Sequence, residues 1–216
     1  MKKPILSFLL ATTSFASTTP PTLLDIAGAR WPAAQLANSI LVIVDAQRDY
    51  TEGGLVLPDV QPAVVNIASL LARARAAGTP VIHVVQQNKA GSPLFAKDSP
   101  LAEIVPALTP QPGETIVVKR LPNSFASTSL ETLLQEIGRK DIIVVGFMTH
   151  MCVSATVRSA LDHGYRCTVV ANCCATRDLP DGSGGVVSAA DVHRMELAAL
   201  RDRFATVVTS SDDIRN

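Results

Sequence analysis

Ile40-Leu41-Val42-Ile43-Val44 is an unbroken apolar run, rich in β-branched residues and closed by Asp45. A strand with one wet face would alternate apolar and polar residues. A continuous run suits a strand buried on both faces, as in a parallel sheet. Comparable runs recur at Val81 to Val85, Thr115 to Val118, Ile142 to Val145, Cys167 to Ala171 and Ala205 to Val208. Helical patterns separate them. Val60, Val64, Ile67, Leu71 and Ala74 repeat at steps of four and three, which is one face of a helix. Gly78 and Pro80 then stop it. Leu130, Leu133, Leu134 and Ile137 form a second stripe, opened by a Thr128-x-x-Glu131 capping box and closed at Gly138. Val153, Val157, Ala160 and Leu161 form a third that ends at Gly164, and a fourth helix is expected from about Ser188 to Arg203. Strands alternating with helices predict an α/β chain. The expected architecture is a single-domain three-layer αβα sandwich with a mostly parallel, Rossmann-like sheet.

The chain before residue 39 reads differently. Lys2 and Lys3 precede an apolar stretch from Ile5 to Leu10, and Ser14-Phe15-Ala16 offers small residues for cleavage. Residues 1–16 therefore read as a signal peptide, which would send the protein to the periplasm or outside the cell; without it the chain would be cytoplasmic. That stretch is too short to anchor in a bilayer, and no other segment is long enough, so no membrane span is expected in the mature chain. Residues 17–38, with Pro20, Pro21 and Pro32, read as a lead-in rather than core, and residues 39–216 as the functional domain. Formal net charge is zero and only 4% of residues are aromatic, so a nucleic-acid partner is not expected. The four cysteines, Cys152, Cys167, Cys173 and Cys174, form no C-x-x-C pair and no zinc spacing.

Three polar residues stand where a parallel sheet builds its ligand sites, beyond the carboxyl ends of the strands. Asp45 ends the first run, Lys119 ends the third, and Cys152 follows the fourth. A free thiol has a pKa near ~8.5 and needs help to ionise at neutral pH. Lys119 and the amides of a helix N-terminus would favour the thiolate, while Asp45 would accept its proton and return it to a leaving amine. Each residue also has a plain alternative: Asp45 as a turn cap, Lys119 as a solvated strand end, Cys152 as core.

Four elements extend this pattern in order: Val44-Asp45-x-Gln47-x-Asp49; Lys119 with Ser124-Phe125; Gly146-x-x-Thr149-x-x-Cys152-Val153; and Ala175-Thr176-Arg177-Asp178. Over about residues 39 to 209 the chain resembles the isochorismatase-like cysteine hydrolases, the superfamily that includes nicotinamidases and N-carbamoylsarcosine amidases. The resemblance implies a catalytic triad of Asp45, Lys119 and Cys152. It also implies a cis peptide between Phe147 and Met148, with an oxyanion hole made by the backbone N–H groups of Met148 and Cys152. The implied reaction is hydrolysis of a small amide-like substrate through a thioester. The resemblance further suggests a homo-oligomer, a dimer or tetramer. Metal-dependent relatives carry histidines where this chain has Gln86-Gln87-Asn88-Lys89-Ala90-Gly91, so no metal and no cofactor are expected, and Asp49 stands without such a cluster. Gln47, Asn123 and Phe125 are expected to line the substrate pocket. His83 is expected in the core, His150 in a structural role, His163 and His193 on exposed helix faces, and Arg177 paired with Asp178. Two other readings remain open: an enol-ether hydrolase of the isochorismatase type, and a catalytically idle binding protein of the same fold.

Overall fold

A computed structural model describes residues 19–216; the signal reading of residues 1–16 lies outside the described residues. The elements in chain order are α1 (Leu23–Ile26), β1 (Ser39–Val44), α2 (Val60–Ala76), β2 (Val81–Gln86), β3 (Thr115–Lys119), α3 (Leu130–Ile137), β4 (Asp141–Phe147), α4 (Ser154–Asp162), β5 (Arg166–Ala175), β6 (Leu179–Pro180), β7 (Val186–Val187), α5 (Ala189–Arg203) and β8 (Ala205–Val208). Six strands form one parallel sheet in the order β3-β2-β1-β4-β5-β8. The strands β6 and β7 make a small antiparallel ribbon apart from it.

The continuous apolar run in β1 is explained by its neighbours. Leu41 and Ile43 face one core, with the α2 stripe of Val60, Val64, Ile67, Leu71 and Ala74. Ile40, Val42 and Val44 face a second core, with Leu130 and Leu134 of α3, Val157 of α4 and Leu200 of α5. Burying each such side chain contributes about 1.5–3 kcal/mol, so a strand used on both faces is worth roughly twice a half-exposed one. The sheet grows outward from β1 in one direction to β2 and β3, and in the other to β4, β5 and β8. The turn at the end of β1 therefore sits at the switch point, where crossovers diverge and a crevice opens.

Three expectations need correction. The capping box at α3 does not form: Ser129 is the N-cap without a side-chain bond. Thr128 instead donates to the Ser124 carbonyl and accepts from the Leu130 amide, closing the preceding loop. The fifth strand does not stop at Ala171. A register shift between Val144 and Gly146 lets β5 continue, pairing Cys174 with Gly146 and Ala175 with Phe147. The lead-in is also more than an approach to the fold. Leu24, Ala34 and Leu36 are buried, and the Ala34 amide donates to Thr168 Oγ1 at 2.8 Å. These contacts seat residues 19–38 against the β5–β8 side of the sheet, where Thr206 Oγ1 also donates to the Trp31 carbonyl.

Gly146 marks a close backbone approach in the sheet. Its φ is 117°, and a Cβ there would lie 2.0 Å from the carbonyl oxygen of Val44, its register partner in β1. Only a residue without a side chain lets β4 lie this close to β1 immediately before the turn that carries Cys152. Among the described residues no helix is long and apolar enough to cross a membrane.

Candidate active site

The structure brings Asp45, Lys119 and Cys152 together at the carboxyl edge of the sheet. Asp45 follows β1 directly, is fully buried and adopts a left-handed φ of 49°. A non-glycine residue in that region costs of order 1–2 kcal/mol, held here by the Asp45 amide donating to the Val84 carbonyl at 2.8 Å. Lys119 closes β3, two strands away, and is 1% exposed. Its side chain crosses over β2 to reach Asp45. Its Nζ lies 2.7 Å from Asp45 Oδ2, 2.9 Å from Gln86 Oε1 and 3.3 Å from Cys152 Sγ. An ammonium has three N–H donors, and three acceptors stand around this one.

Gln86 was not singled out in the sequence, although the signal was there: it ends β2 as Asp45 ends β1 and Lys119 ends β3. Its register partner is Lys119 itself. It occupies the strand between the two charges and takes the third N–H.

Lys119 favours ionisation of the thiol, as expected, but burial opposes it. Burial pushes the Cys152 thiol up to about 12, the Asp45 charge adds to this, and Lys119 only opposes it. Burial likewise raises Asp45, against the pull of Lys119. Burial and the Asp45 charge thus work against ionising the Cys152 sulfur, and Lys119 works for it. Moving the thiol proton onto Asp45 leaves one negative charge beside Lys119 before and after. The burial that penalises ionising either group alone does not oppose that exchange, because the number of buried charges stays constant.

Removing the cation should expose this balance. Lys119→Met leaves Asp45 buried without its partner, and breaking a buried pair from one side costs about 3–5 kcal/mol. The double variant Asp45→Asn/Lys119→Met should recover a large part of that loss, read as urea midpoints at neutral pH. Simple additivity of the two single losses would contradict a coupled pair.

Cys152 is carried by a π-helical turn, Thr149–Val153, that leads into α4. The Phe147–Met148 peptide entering it is cis. The carbonyl of Met148 accepts the amides of Met151 at 3.0 Å and Val153 at 3.2 Å. Thr149 fixes the turn from beneath, donating to the Ala175 carbonyl at 3.2 Å while its Oγ1 lies 2.9 Å from His193 Nδ1. His193 is thus half-buried against the turn, where exposure on α5 was expected. His150 also has a local partner, Thr176 Oγ1. His83 is 1% exposed, with Nε2 3.0 Å from Glu114 Oε2; its Nδ1 has no partner among the described residues. His163 is exposed and stacks on Phe125.

The residues expected to line the pocket each have partners within the protein. Gln47 is fully buried, donates to the carbonyls of Gln86 and Ala102, and accepts from the Gln86 amide. It ties the long excursion after β2 to the end of β1, and all its hydrogen-bonding capacity faces backbone. Asn123 accepts from the Phe125 amide at 2.9 Å and shapes its own loop. Phe125 lies between His163 and Tyr165, with ring centroids at 4.8 and 6.3 Å. Aromatic packing on both sides fixes its ring. Asp49 is similarly engaged: its oxygens accept the amides of Phe95 at 2.7 Å and Gly54 at 3.3 Å. Among the described residues no cluster of three or more His, Cys, Asp or Glu could hold a metal. Arg177 donates to the Asp178 carbonyl, and the Asp178 carboxylate accepts the Ala189 amide, so they form no ion pair.

The cleft over Cys152 has a volume of about 240 Å³. Tyr50, Gln86, Asn88, Arg120 and Met148 are among the residues that line it. A larger cavity of 440 Å³, lined by Pro62, Asn66, Asn172 and His193 among others, contains none of Asp45, Lys119 and Cys152. Cys152 lines the smaller one.

A family model for the isochorismatase domain matches residues 39–212. The secreted isochorismatase effector Isc1 of Verticillium dahliae is 42% identical over 179 residues, covering 83% of this chain and 92% of that protein. A maleamate amidohydrolase from Pseudomonas putida is 32% identical over 190 residues, covering 80% of this chain and 83% of that protein. The crystal structure of an isochorismatase from Pseudomonas putida aligns with a TM-score of 0.87 at 43% identity, over 91% of this chain and 100% of that one.

Proposed function

Because this chain belongs to the isochorismatase family of hydrolases, we propose that it is a cysteine hydrolase that opens a small amide-like C–N bond through a thioester. The observation that carries this reading is the single ammonium touching both a buried carboxylate and a thiol, at 2.7 and 3.3 Å. Asp45 takes the thiol proton as Cys152 Sγ attacks the carbonyl carbon. The C=O electrons move to oxygen, and the oxyanion is stabilised by the N–H groups of Met148 and Cys152. Collapse re-forms the carbonyl and breaks the C–N bond, with the Asp45 proton passing to the departing nitrogen. Water then attacks the thioester, Asp45 accepts its proton, and the carboxylic acid leaves as the thiol is restored. Lys119 stabilises the negative charge as it moves from oxygen to sulfur and back.

The direct test is acid quenching during turnover of a panel of primary amides, ureas and carbamoyl compounds, with ammonia as the readout. A Cys152 peptide heavier by the acyl group is expected by mass spectrometry. Rapid ammonia release with no acyl-enzyme under any quench would end the thioester route.

A second reading is favoured by the name of the Verticillium dahliae relative, an isochorismatase effector. In enol-ether cleavage Asp45 would protonate the vinyl carbon and Cys152 would form no bond. That activity would survive Cys152→Ala, which separates the two. The same relative is described as secreted, and this supports export of the present chain through residues 1–16. An intact Met1 on protein recovered outside the cytoplasm would contradict a cleaved signal.

A further inference from the structure

Helix α5 reaches the chain on both sides of Cys152. Its His193 meets Thr149, with Nδ1 2.9 Å from Thr149 Oγ1. Three residues on, Glu196 accepts a hydrogen bond from the hydroxyl of Ser154, the first residue of α4, and pairs with Arg158 at 3.0 Å. Residues at i and i+3 share a helix face, so one face of α5 holds both ends of the turn. Neither His193 nor Glu196 is among the residues that line the cleft over Cys152.

The direction of the His193 bond follows from counting hydrogens. The Thr149 hydroxyl has one, and donates it to the Ala175 carbonyl at 3.2 Å. Toward His193 it can only accept, so Nδ1 carries the hydrogen of that bond. The ring donates from Nδ1 whether neutral or protonated, so the bond survives titration of the imidazole. Thr149 is fully buried, and no solvent replaces a lost partner there. The ring of His193 also lines the 440 Å³ cavity, so it stands as a partition between that cavity and the turn.

The place of Thr149 in the chain gives the bond its consequence. It directly follows Met148 and opens the π-helical turn in which Cys152 lies three residues on. A shift of Thr149 therefore moves the amides of Met148 and Cys152, and the sulfur, relative to Asp45 and Lys119. We propose that His193 is a positioning residue that, by donating to Thr149, sets this turn for attack by Cys152. The proposal rests on the cysteine-hydrolase reading.

Its test sets donor against bulk. In His193→Asn the side-chain amide can donate from the same δ position; in His193→Phe the ring bulk stays and the donor is lost. On a primary amide that wild type hydrolyses, His193→Phe is expected to lower kcat about 10- to 100-fold, the order of loss for a ~1 Å misplacement, with KM little changed. His193→Asn should regain most of it. Wild-type kcat in His193→Phe, or a larger loss in His193→Asn than in His193→Phe, overturns the proposal. Adding His193→Phe to Thr149→Val, which already lacks the acceptor, should cost nothing further in kcat; additive losses overturn the link. Proton–nitrogen correlation spectra of wild type need no variant to fold: hydrogen on Nδ1 is expected, and a ring protonated only at Nε2 refutes the bond. If wild type hydrolyses no amide in the panel, the amidase reading fails, and the rate of Cys152 alkylation by iodoacetamide decides the positioning role instead. A faster rate in His193→Phe with a near-normal one in His193→Asn supports it; equal rates in all three proteins refute it.

Discussion

Cys152→Ala is expected to lower kcat on any amide substrate by about 10⁴-fold or more while leaving the protein folded. The catalytic part follows from geometry: no other thiol or hydroxyl on the cleft wall stands beside both Asp45 and Lys119. What remains would come from the oxyanion amides and from binding alone. The structural part is small because Cys152 is a small side chain, and its removal leaves a void of about one sulfur. A loss near ~1 kcal/mol should shift Tm by about 2–4 °C in a chain of this length. The two readouts together carry the prediction. Normal turnover in a folded variant would eliminate the sulfur nucleophile. Lost turnover in an unfolded one would call for Cys152→Ser, which keeps the volume and weakens the nucleophile.

Gly146→Ala should be the most damaging single methyl in the chain. The new Cβ would sit 2.0 Å from the Val44 oxygen and 2.8 Å from the Val44 carbon and nitrogen. All three are backbone atoms of a central strand, with neighbours on both sides. Relief requires opening the β1–β4 ladder, so a cost beyond about 4–5 kcal/mol is expected, comparable to the whole margin of many domains. Gly164→Ala is the matched control. It also has a positive φ, 78°, but nothing within 4 Å of the added carbon, so only the backbone term of about 1 kcal/mol applies. Soluble yield and urea midpoints separate them. A Gly146→Ala protein with a wild-type midpoint would mean that the two strands are not this close.

Much of this arrangement was legible beforehand, for a reason visible in particular residues. The run Ile40 to Val44 reports burial on two faces, and the stripe from Val60 to Ala74 reports a helix, because periodicity is a local property of the chain. Asp45, Lys119 and Cys152 stood out because strand ends share one edge of a parallel sheet. The cleft wall was not legible, because it depends on which way loop residues turn. Gln47 is near Asp45 in sequence yet faces only backbone, while Arg120 and Met151 lie beside residues already singled out and went unremarked. The effect of burial on the thiol was not legible for a different reason. Attraction to Lys119 can be guessed from residue types, but the opposing effect of burial depends on the packing of many residues at once. The extension of β5 to Ala175 rests on a register shift, which no local pattern announces.

The burial of Cys152 bears on how its sulfur meets oxidants. Peroxide and foreign disulfides are attacked by thiolates, so a sulfur that burial disfavours from ionising and that is 7% exposed is a poor target for them. Cys167, Cys173 and Cys174 are buried as well, which leaves the chain no ready sulfur for scrambling. Burial that disfavours the thiolate therefore also shields this sulfur from oxidants between encounters with a ligand.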